Sequence, residues 1–377
     1  MKRYFLALAM FSGTIIGVGL FGLPYVTLKT GVLPVLFYFI LLSIIMVISH
    51  LAFGEICLRT QKQHRLPGYT EIYLGKKFKF IPVISNSIGL FGANLAYIII
   101  GGSFLANLMM PIFGGTKLAY ILVFFASGAF IIFLGSKAIA RSEFLSLLIF
   151  FGVLIILCIK GLPYLKIENF NLFGFDFKNF FLPYGIILFS LSGMSVIPEL
   201  REILAEKGKL LRHVIITGTL IPAIIYLVFI ILILGVAGPQ TTEDALSGLK
   251  MVLGPKILIL GFIFGIITTF TSYLTVGLTL KKIFWYDLKF SHFNAWVIAA
   301  FIPLLLYFIG LKDFIGIISF TGAVTMGIDM TLVYSIYLKA RELGQRIPDY
   351  KINLAKPVVY VLIALFLFGV VLELISL

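Results

Sequence analysis

The sequence predicts an all-α polytopic membrane protein: eleven transmembrane helices arranged as two inverted repeats of five, with broken helices 1 and 6, plus an appended eleventh helix. Three observations lead there. The composition suits lipid better than water, the apolar segments number eleven, and the first segment of each half is interrupted by residues that break helices.

Hydrophobic residues make up 60% of the 377-residue chain, charged residues 12%, and the mean hydropathy is +1.11. That leaves too little polar surface for a soluble globule of this size. About 20 apolar residues at 1.5 Å rise cross the roughly 30 Å hydrocarbon core. This ruler places spans at 4–28, 32–58, 82–110, 117–135, 139–160, 180–200, 212–237, 256–280, 295–310, 314–338 and 357–377, of which 295–310 is the shortest. The whole chain reads as one transmembrane domain, with a first repeat at 4–160, a second at 180–338 and the appended eleventh helix at 357–377.

The first span carries GTIIGVGLFGLP, four glycines and a proline within residues 13–24. Glycine costs a helix interior about 1 kcal/mol relative to alanine, and proline removes a donor and clashes one turn back. In hydrocarbon a broken helix survives only where it is buried in protein or lines a polar cavity. Its freed N–H groups then suit a carboxylate and its freed carbonyls suit a cation. A GxxxG packing face at Gly13 and Gly17 is the simpler explanation of the same residues.

Spans two to five supply the intervening helices of the first half, and Glu55 stands four residues before Arg59 at the end of span two, a spacing that predicts a local ion pair. An odd number of spans per half inserts the second half upside down, so its first helix should be broken at a matching depth. The sixth span, LPYGIILFSLSGMSVIPEL, meets that expectation with Ser190, Ser192, Gly193 and Ser195 at mid-span and Pro198 near its end. A serine-rich packing face is the alternative. In the eighth span Thr268, Thr271, Ser272 and Thr275 recur at intervals of three and four and share one helical face. Hydroxyls there serve an oxygen-ligated cation or simply bond their own backbone.

Orientation follows from basic residues. With the N-terminus cytoplasmic, 22 of the 30 lysines and arginines, including every arginine, fall in inner segments. The C-terminus is then extracytoplasmic, and the expected location is the cell (plasma) membrane. The net charge of +14 is accounted for by this topology and by anionic lipid, not by nucleic acid. Cys57 and Cys158 fall near opposite membrane faces, and His50, His64, His213 and His292 have no metal-ligand spacing. Lys2 and Arg3 before an apolar run mimic a signal peptide, but no small-residue cleavage site follows, so the segment reads as a retained first span. No nucleophile, base and orienting residue form a set that would suggest an enzyme.

Several stretches together resemble the amino acid/polyamine/organocation permeases, closest to the aromatic and neutral amino acid permease branches, which share the leucine-transporter fold. These are GTIIGVGLFGLPY with TLKTG, AFGEICLRT, LPGYTEIYLGKK, GIILFSLSGMSVIPELREI and SFTGAVTMGID. The resemblance covers residues 4 to about 338. It implies a substrate carboxylate on N–H groups near Gly17, Val18 and Gly19, and an ammonium on carbonyls of Thr14, Ile15, Phe189 and Ser190. Ser192, Gly193 and Met194 would shape the pocket, with Asn94 and Tyr97 as the wall from span three. It implies a sodium site at Gly13, Ile16, Thr268, Thr271 and Ser272. Proton-coupled relatives can place a lysine on span five, where this chain has none between Lys137 and Lys160.

Asp329, about ten residues or 15 Å of helix before Lys339, is the deepest carboxylate, and Glu199 follows Pro198 at the inner end of span six. Both are candidates for gating or proton coupling, or for structural hydrogen bonds. The expected function is sodium-coupled symport of a neutral, apolar or aromatic amino acid by alternating access. A proton-coupled permease or exchanger stands beside it, as do an amino acid sensor without turnover and a channel. No cofactor is expected beyond a sodium coupling ion, and the expected partners are the small-molecule substrate and the lipid bilayer.

Overall fold

The computed structural model describes residues 2–135, 139–172, 179–204 and 208–376. Lys137, Lys178 and Lys207 of the charge distribution lie outside the described residues. The described chain is helical, with α1 (Lys2–Ile15), α2 (Gly19–Thr30), α3 (Val32–Arg59), α4 (Leu66–Leu74), α5 (Phe80–Phe113), α6 (Lys117–Leu134) and α7 (Ile139–Gly161) in the first half. The second half holds α8 (Leu182–Leu191), α9 (Ile197–Leu204), α10 (Gly208–Ala237), α11 (Lys250–Lys282), α12 (His292–Ile309), α13 (Phe314–Phe320) and α14 (Gly327–Leu343), and α15 (Lys356–Ser376) ends the chain.

Among the described residues nine segments are long and apolar enough to cross a membrane, and α1 with α2, bent by 49°, form a tenth as one broken span. The expected fifth span is α7, whose described apolar portion, Ile149–Tyr164, is shorter. Large apolar side chains face outward on many helices, among them Phe5, Phe37, Ile40, Phe130 and Ile224. Such a surface is stable in lipid, where an exposed phenylalanine carries no hydrophobic penalty.

Both expected interruptions are present. Ile16, Gly17 and Val18 leave the helix between α1 and α2, and Ser192 and Gly193 leave it between α8 and α9. Two other irregularities go beyond the sequence expectation. Span eight begins at Lys250 and kinks at Gly254, which takes φ +74°. Span ten contains a π-helical stretch, Thr321–Met326, between α13 and α14. There a Cβ on Gly322 would collide with the Gly185 carbonyl, so only glycine allows this approach to α8.

The helices form two groups. Helices α1, α2, α3, α8, α9 and α10 pack on one another, and α5, α6, α11 and α12 form a second set that α7 joins through α11. The span-ten stretch bridges them, touching α8 on one side and α5 on the other. Charges at the ends have identifiable partners. Lys281 is buried and donates to the Ile132 and Phe133 carbonyls at the C-terminus of α6, 2.9 and 3.1 Å away. Arg201 does the same for α3, donating to Cys57 and Thr60 carbonyls at 2.5 and 3.1 Å. Glu55 forms the expected pair with Arg59, at 2.8 Å, and also accepts from the Ile352 N–H.

Candidate substrate-binding site

The two breaks face each other. A Cβ on Gly19 would collide with Ser190 Oγ, so the start of α2 lies directly against the end of α8. At the first break Leu20 and Phe21 N–H groups turn back to the Gly17 and Val18 carbonyls, while none of the backbone hydrogen bonds there uses the N–H of Gly17 or Gly19. The Gly17 N–H goes to the Tyr226 hydroxyl, which leaves Gly19 as the orphan donor of the helix start, suited to an anion.

Tyr226 of α10 joins the breaks. Its hydroxyl, fully enclosed, donates to the carbonyls of Ile15 at 2.6 Å and Ser190 at 3.1 Å. Two of the four carbonyls expected to meet an ammonium therefore already share a donor, and the Phe189 carbonyl accepts from Ser192 N–H at 3.3 Å. The freed amide of Gly193 is satisfied differently. It donates to His50 Nε2 at 3.3 Å, while His50 Nδ1 lies 3.1 Å from Thr219 Oγ1. Because Thr219 spends its own proton on the Ile215 carbonyl, His50 must donate from Nδ1, which leaves Nε2 free to accept. The imidazole is thus neutral and structural. Neither Tyr226 nor His50 was singled out for the site from sequence, because nothing local marks them.

A cavity of about 140 Å³ lies between the breaks, lined by Thr14, Ile15, Gly17, Gly19, Tyr97, Phe189, Ser190, Ser192 and Met194 from the sequence expectation. Asn86, Gly89, Leu90, Ala93, Ser195, Val276, Thr325, Met326, Asp329 and Met330 complete it. Val18, Gly193 and Asn94 are not in the lining. Val18 is fully buried, Gly193 is turned onto Phe11, Ile15 and His50, and Asn94 points to Gly277 of α11 with both amide atoms unpartnered.

Of the expected ion ligands, the threonine hydroxyls bond within their own helix. Thr268 Oγ1 donates to Phe264, and Thr271 Oγ1 to Ile267 and Thr268, all carbonyls of α11 itself. Ser272 is the member that reaches the first break, through Tyr97, whose hydroxyl lies against Ser272 and the Val18 N–H. Ile16 is buried in the break, and Gly13 is still within α1. The main partners of α11 are α5, α6, α7 and α12.

From the cavity a second space of about 140 Å³ continues past Asn86, Met194 and Ser195 to Arg65, Pro198 and Glu199. It opens into a vestibule of about 880 Å³ lined by Arg65, Glu71, Lys79, Glu199 and Glu202. Glu199 lies 3.5 Å from Arg65 at this mouth, its second oxygen buried without a hydrogen-bond partner. On the opposite side of the break Phe21 packs edge-on against Phe104, Phe229 and Phe264 and closes the way. Asp329 lines the cavity and accepts a short hydrogen bond from Ser85 Oγ.

A membrane-embedded cavity between two interrupted helices, open at one end and plugged at the other, belongs to a transporter rather than an enzyme. Solved structures agree on the fold. The chain is similar over 99% of its length to MhsT in complex with L-phenylalanine (TM-score 0.63, 16% identity, 98% of that chain). It is similar over the same share to the inward-facing conformation of Mhp1 (TM-score 0.71, 14% identity, 88% of that chain). The fold is therefore that of the leucine transporter. The chain belongs to the tryptophan/tyrosine permease family, whose sequence pattern matches residues 1–376. It is also 24% identical over 346 residues, 88% of each protein, to glutamine transporter 2 of Aliivibrio fischeri (strain ATCC 700601 / ES114). The protein is a transporter of amino acids or related substrates.

Proposed function

We propose that the protein is a secondary active symporter that carries a neutral amino acid, apolar or aromatic, into the cell with sodium by alternating access. The observation that carries this reading is the cavity between the breaks, where the Gly19 N–H awaits a carboxylate and the Gly17 N–H, held by the Tyr226 hydroxyl, lies beside it. Thr14 and Phe189 carbonyls, with the remaining lone pairs of Ile15 and Ser190, face the ammonium. The vestibule side is cytoplasmic in this proposal, since all arginines fall on it in the predicted topology, and the described state is inward-open.

Sodium is assigned to Gly13, Ile16, Thr268, Thr271 and Ser272. Hydroxyls that donate to their own backbone keep oxygen lone pairs for a cation, so the observed bonds of Thr268 and Thr271 are compatible with this role. Closing α11 onto the first break would complete the set, which links ion and substrate through one conformation. A second reading, proton coupling, is favoured by one observation: Asp329 stands in the wall of a cavity whose described lining holds no lysine or arginine.

Thermal shift of the purified protein with a panel of amino acids, in sodium or choline chloride at two pH values, tests both readings. Sodium-dependent stabilisation by a few neutral amino acids, weakened in Thr271→Ala and Ser272→Ala, supports the symporter. Stabilisation that follows pH and ignores sodium transfers coupling to Asp329. No stabilisation by any amino acid overturns the substrate class.

A further inference from the structure

Span eleven stands outside the two repeats, yet it brings a carboxylate to a seam between two other spans. α15 packs chiefly on α14 and the π-helical stretch of span ten, and it also touches α8. In its last turn the half-buried Glu373 accepts a hydrogen bond from the Ser319 hydroxyl of α13. That bond stays within the pair of spans ten and eleven. α8 and α13 both lie on the side of the cavity away from the vestibule. Pro198 and Glu199, beyond the second break, line the vestibule, and so do Pro67 and Glu71 of α4, against which α14 packs. On this closed side α8 meets span ten backbone to backbone: a Cβ on Gly185 would collide with the Ser319 carbonyl, and one on Gly322 with the Gly185 carbonyl.

Tyr184 of α8 reaches the same seam from the other side. A Cβ on Gly369 would collide with its ring and hydroxyl, so the phenol lies directly on α15, one turn before Glu373. Its hydroxyl is buried and has no hydrogen-bond partner among the described residues. A buried donor left without an acceptor is a cost carried by this state alone if another state supplies the acceptor. Glu373 is placed to do so. Helical side chains lean toward their own N-terminus, which turns its carboxylate toward Gly369 and the hydroxyl above it. Four residues, or about 6 Å of rise, separate Gly369 from Glu373. A slide of α8 along α15 by one turn or less closes that gap, a displacement of the size by which packed helices shift in switching proteins.

We infer that Glu373 is a latch for the opposite state: when the closed side opens, α8 shifts along α15 and the Tyr184 hydroxyl moves from Gly369 onto the Glu373 carboxylate. This rests on the proposed alternating access. Ser319 holds the carboxylate in place throughout, since it moves with span ten, and the bond to Tyr184 exists in one state only. Span eleven thereby takes part in the transport cycle. A ligand-free difference of one hydrogen bond sets how often the closed side opens, which is a bias on the two-state equilibrium.

Electron spin distance measurements on the full-length protein in nanodiscs test it, with labels at Phe37→Cys and Val361→Cys after Cys57→Ala and Cys158→Ala. Both label positions are exposed; Phe37 is on α3, which packs on α8, and Val361 is on α15. Recorded in sodium or choline chloride, with and without L-phenylalanine, the labels should show two distances. Tyr184→Phe should deplete the second about fivefold or more. Glu373→Leu should do the same, the double variant should go no further, and Glu373→Gln, which keeps an acceptor oxygen, should deplete it less. Because the Tyr184 hydroxyl is unbonded in the described state, Tyr184→Phe should melt no lower than wild type. This keeps the test open if the leucine variant does not fold. Two distances that Tyr184→Phe does not redistribute, additive effects in the double variant, or a lower melting temperature for Tyr184→Phe overturn the latch and leave alternating access in place. A single distance under every condition removes the movement of α8 against α15, and the latch with it.

Discussion

The Tyr226 hydroxyl donates to the carbonyl of Ile15 across 211 residues of sequence, at 2.6 Å, and shares the same proton with Ser190 at 3.1 Å. One phenol from α10 thus ties the last turn of α1 to the last turn of α8, and both interrupted helices are held to a helix that is itself unbroken. Tyr226→Phe keeps the ring and removes the proton, leaving two enclosed carbonyls without this donor. The expected cost is about 1–3 kcal/mol, read as a lower melting temperature. Weaker substrate binding should accompany it because the breaks lose their registration. An unchanged melting temperature together with unchanged affinity would show that the bond carries neither role.

His50 supports the second break in the same way. His50→Phe fills the space but leaves the Gly193 amide without its acceptor and the Thr219 oxygen without its donor. Destabilisation on the order of 1–3 kcal/mol is expected, whereas His50→Gln, which can present an acceptor, should recover part of it. Melting curves of the two variants decide the matter.

Glycines differ sharply in what they tolerate. Gly19→Ala forces a Cβ into Ser190, and Gly322→Ala into the Gly185 backbone, so both should abolish transport or folding. Gly114 has φ +69° and ψ −151° with open space around it, and Gly114→Ala should cost only backbone strain of about 1–3 kcal/mol and leave uptake active. Uptake assays at matched expression separate the two kinds of position.

At the vestibule, Arg65 and Glu199 approach to 3.5 Å while both remain partly exposed. Such a pair contributes under about 1 kcal/mol to stability, so Glu199→Gln should melt near the wild type. Its effect should appear in access instead. The labelling rate of a cysteine introduced as Ser195→Cys, on the path beyond this pair, should rise in the Glu199→Gln background and become insensitive to salt. Equal rates would remove Glu199 from gating.

Outside the membrane, Glu71 lies 2.7 Å from Lys79, and that ammonium holds its carboxyl below the ordinary value of 4.5. A depressed carboxyl pKa contributes stability that is complete above the unfolded value and is lost as pH falls through the folded one. The α4 region should therefore loosen in acid below about pH 4.5 in wild type, and Glu71→Gln should lose that acid sensitivity at the linker. Hydrogen exchange of residues 66–79 across that pH range measures it.

Much of the molecule is legible in GTIIGVGLFGLP and LFSLSGMSVIP. Glycine and proline act on their own backbone, so a break they impose is local and can be read without knowing the fold. The span positions follow from the same logic, since hydropathy is a property of each segment against lipid. Tyr226, His50 and Ser85 are different. Their partners are a carbonyl, an amide and a carboxylate more than 140 residues away, and a backbone group carries no mark in the sequence that it will lack a helical partner. The ion face shows the same limit from the other side. Periodicity puts Thr268, Thr271 and Ser272 on one face of α11, yet whether that face meets α1 depends on how two helix groups dock.

Composition and periodicity are sums over neighbours along the chain, and from them came the membrane class, the spans, the two breaks and the family resemblance. Tertiary packing alone decided that the breaks meet at Gly19 and Ser190, that Tyr226 and His50 absorb the freed backbone groups, and that Asn94 and Gly193 turn away from the cavity while Asp329 turns into it. The reason is physical: a broken helix creates unsatisfied polar groups wherever it occurs, but which of them stay open for a ligand is settled only by the donors and acceptors that distant helices bring.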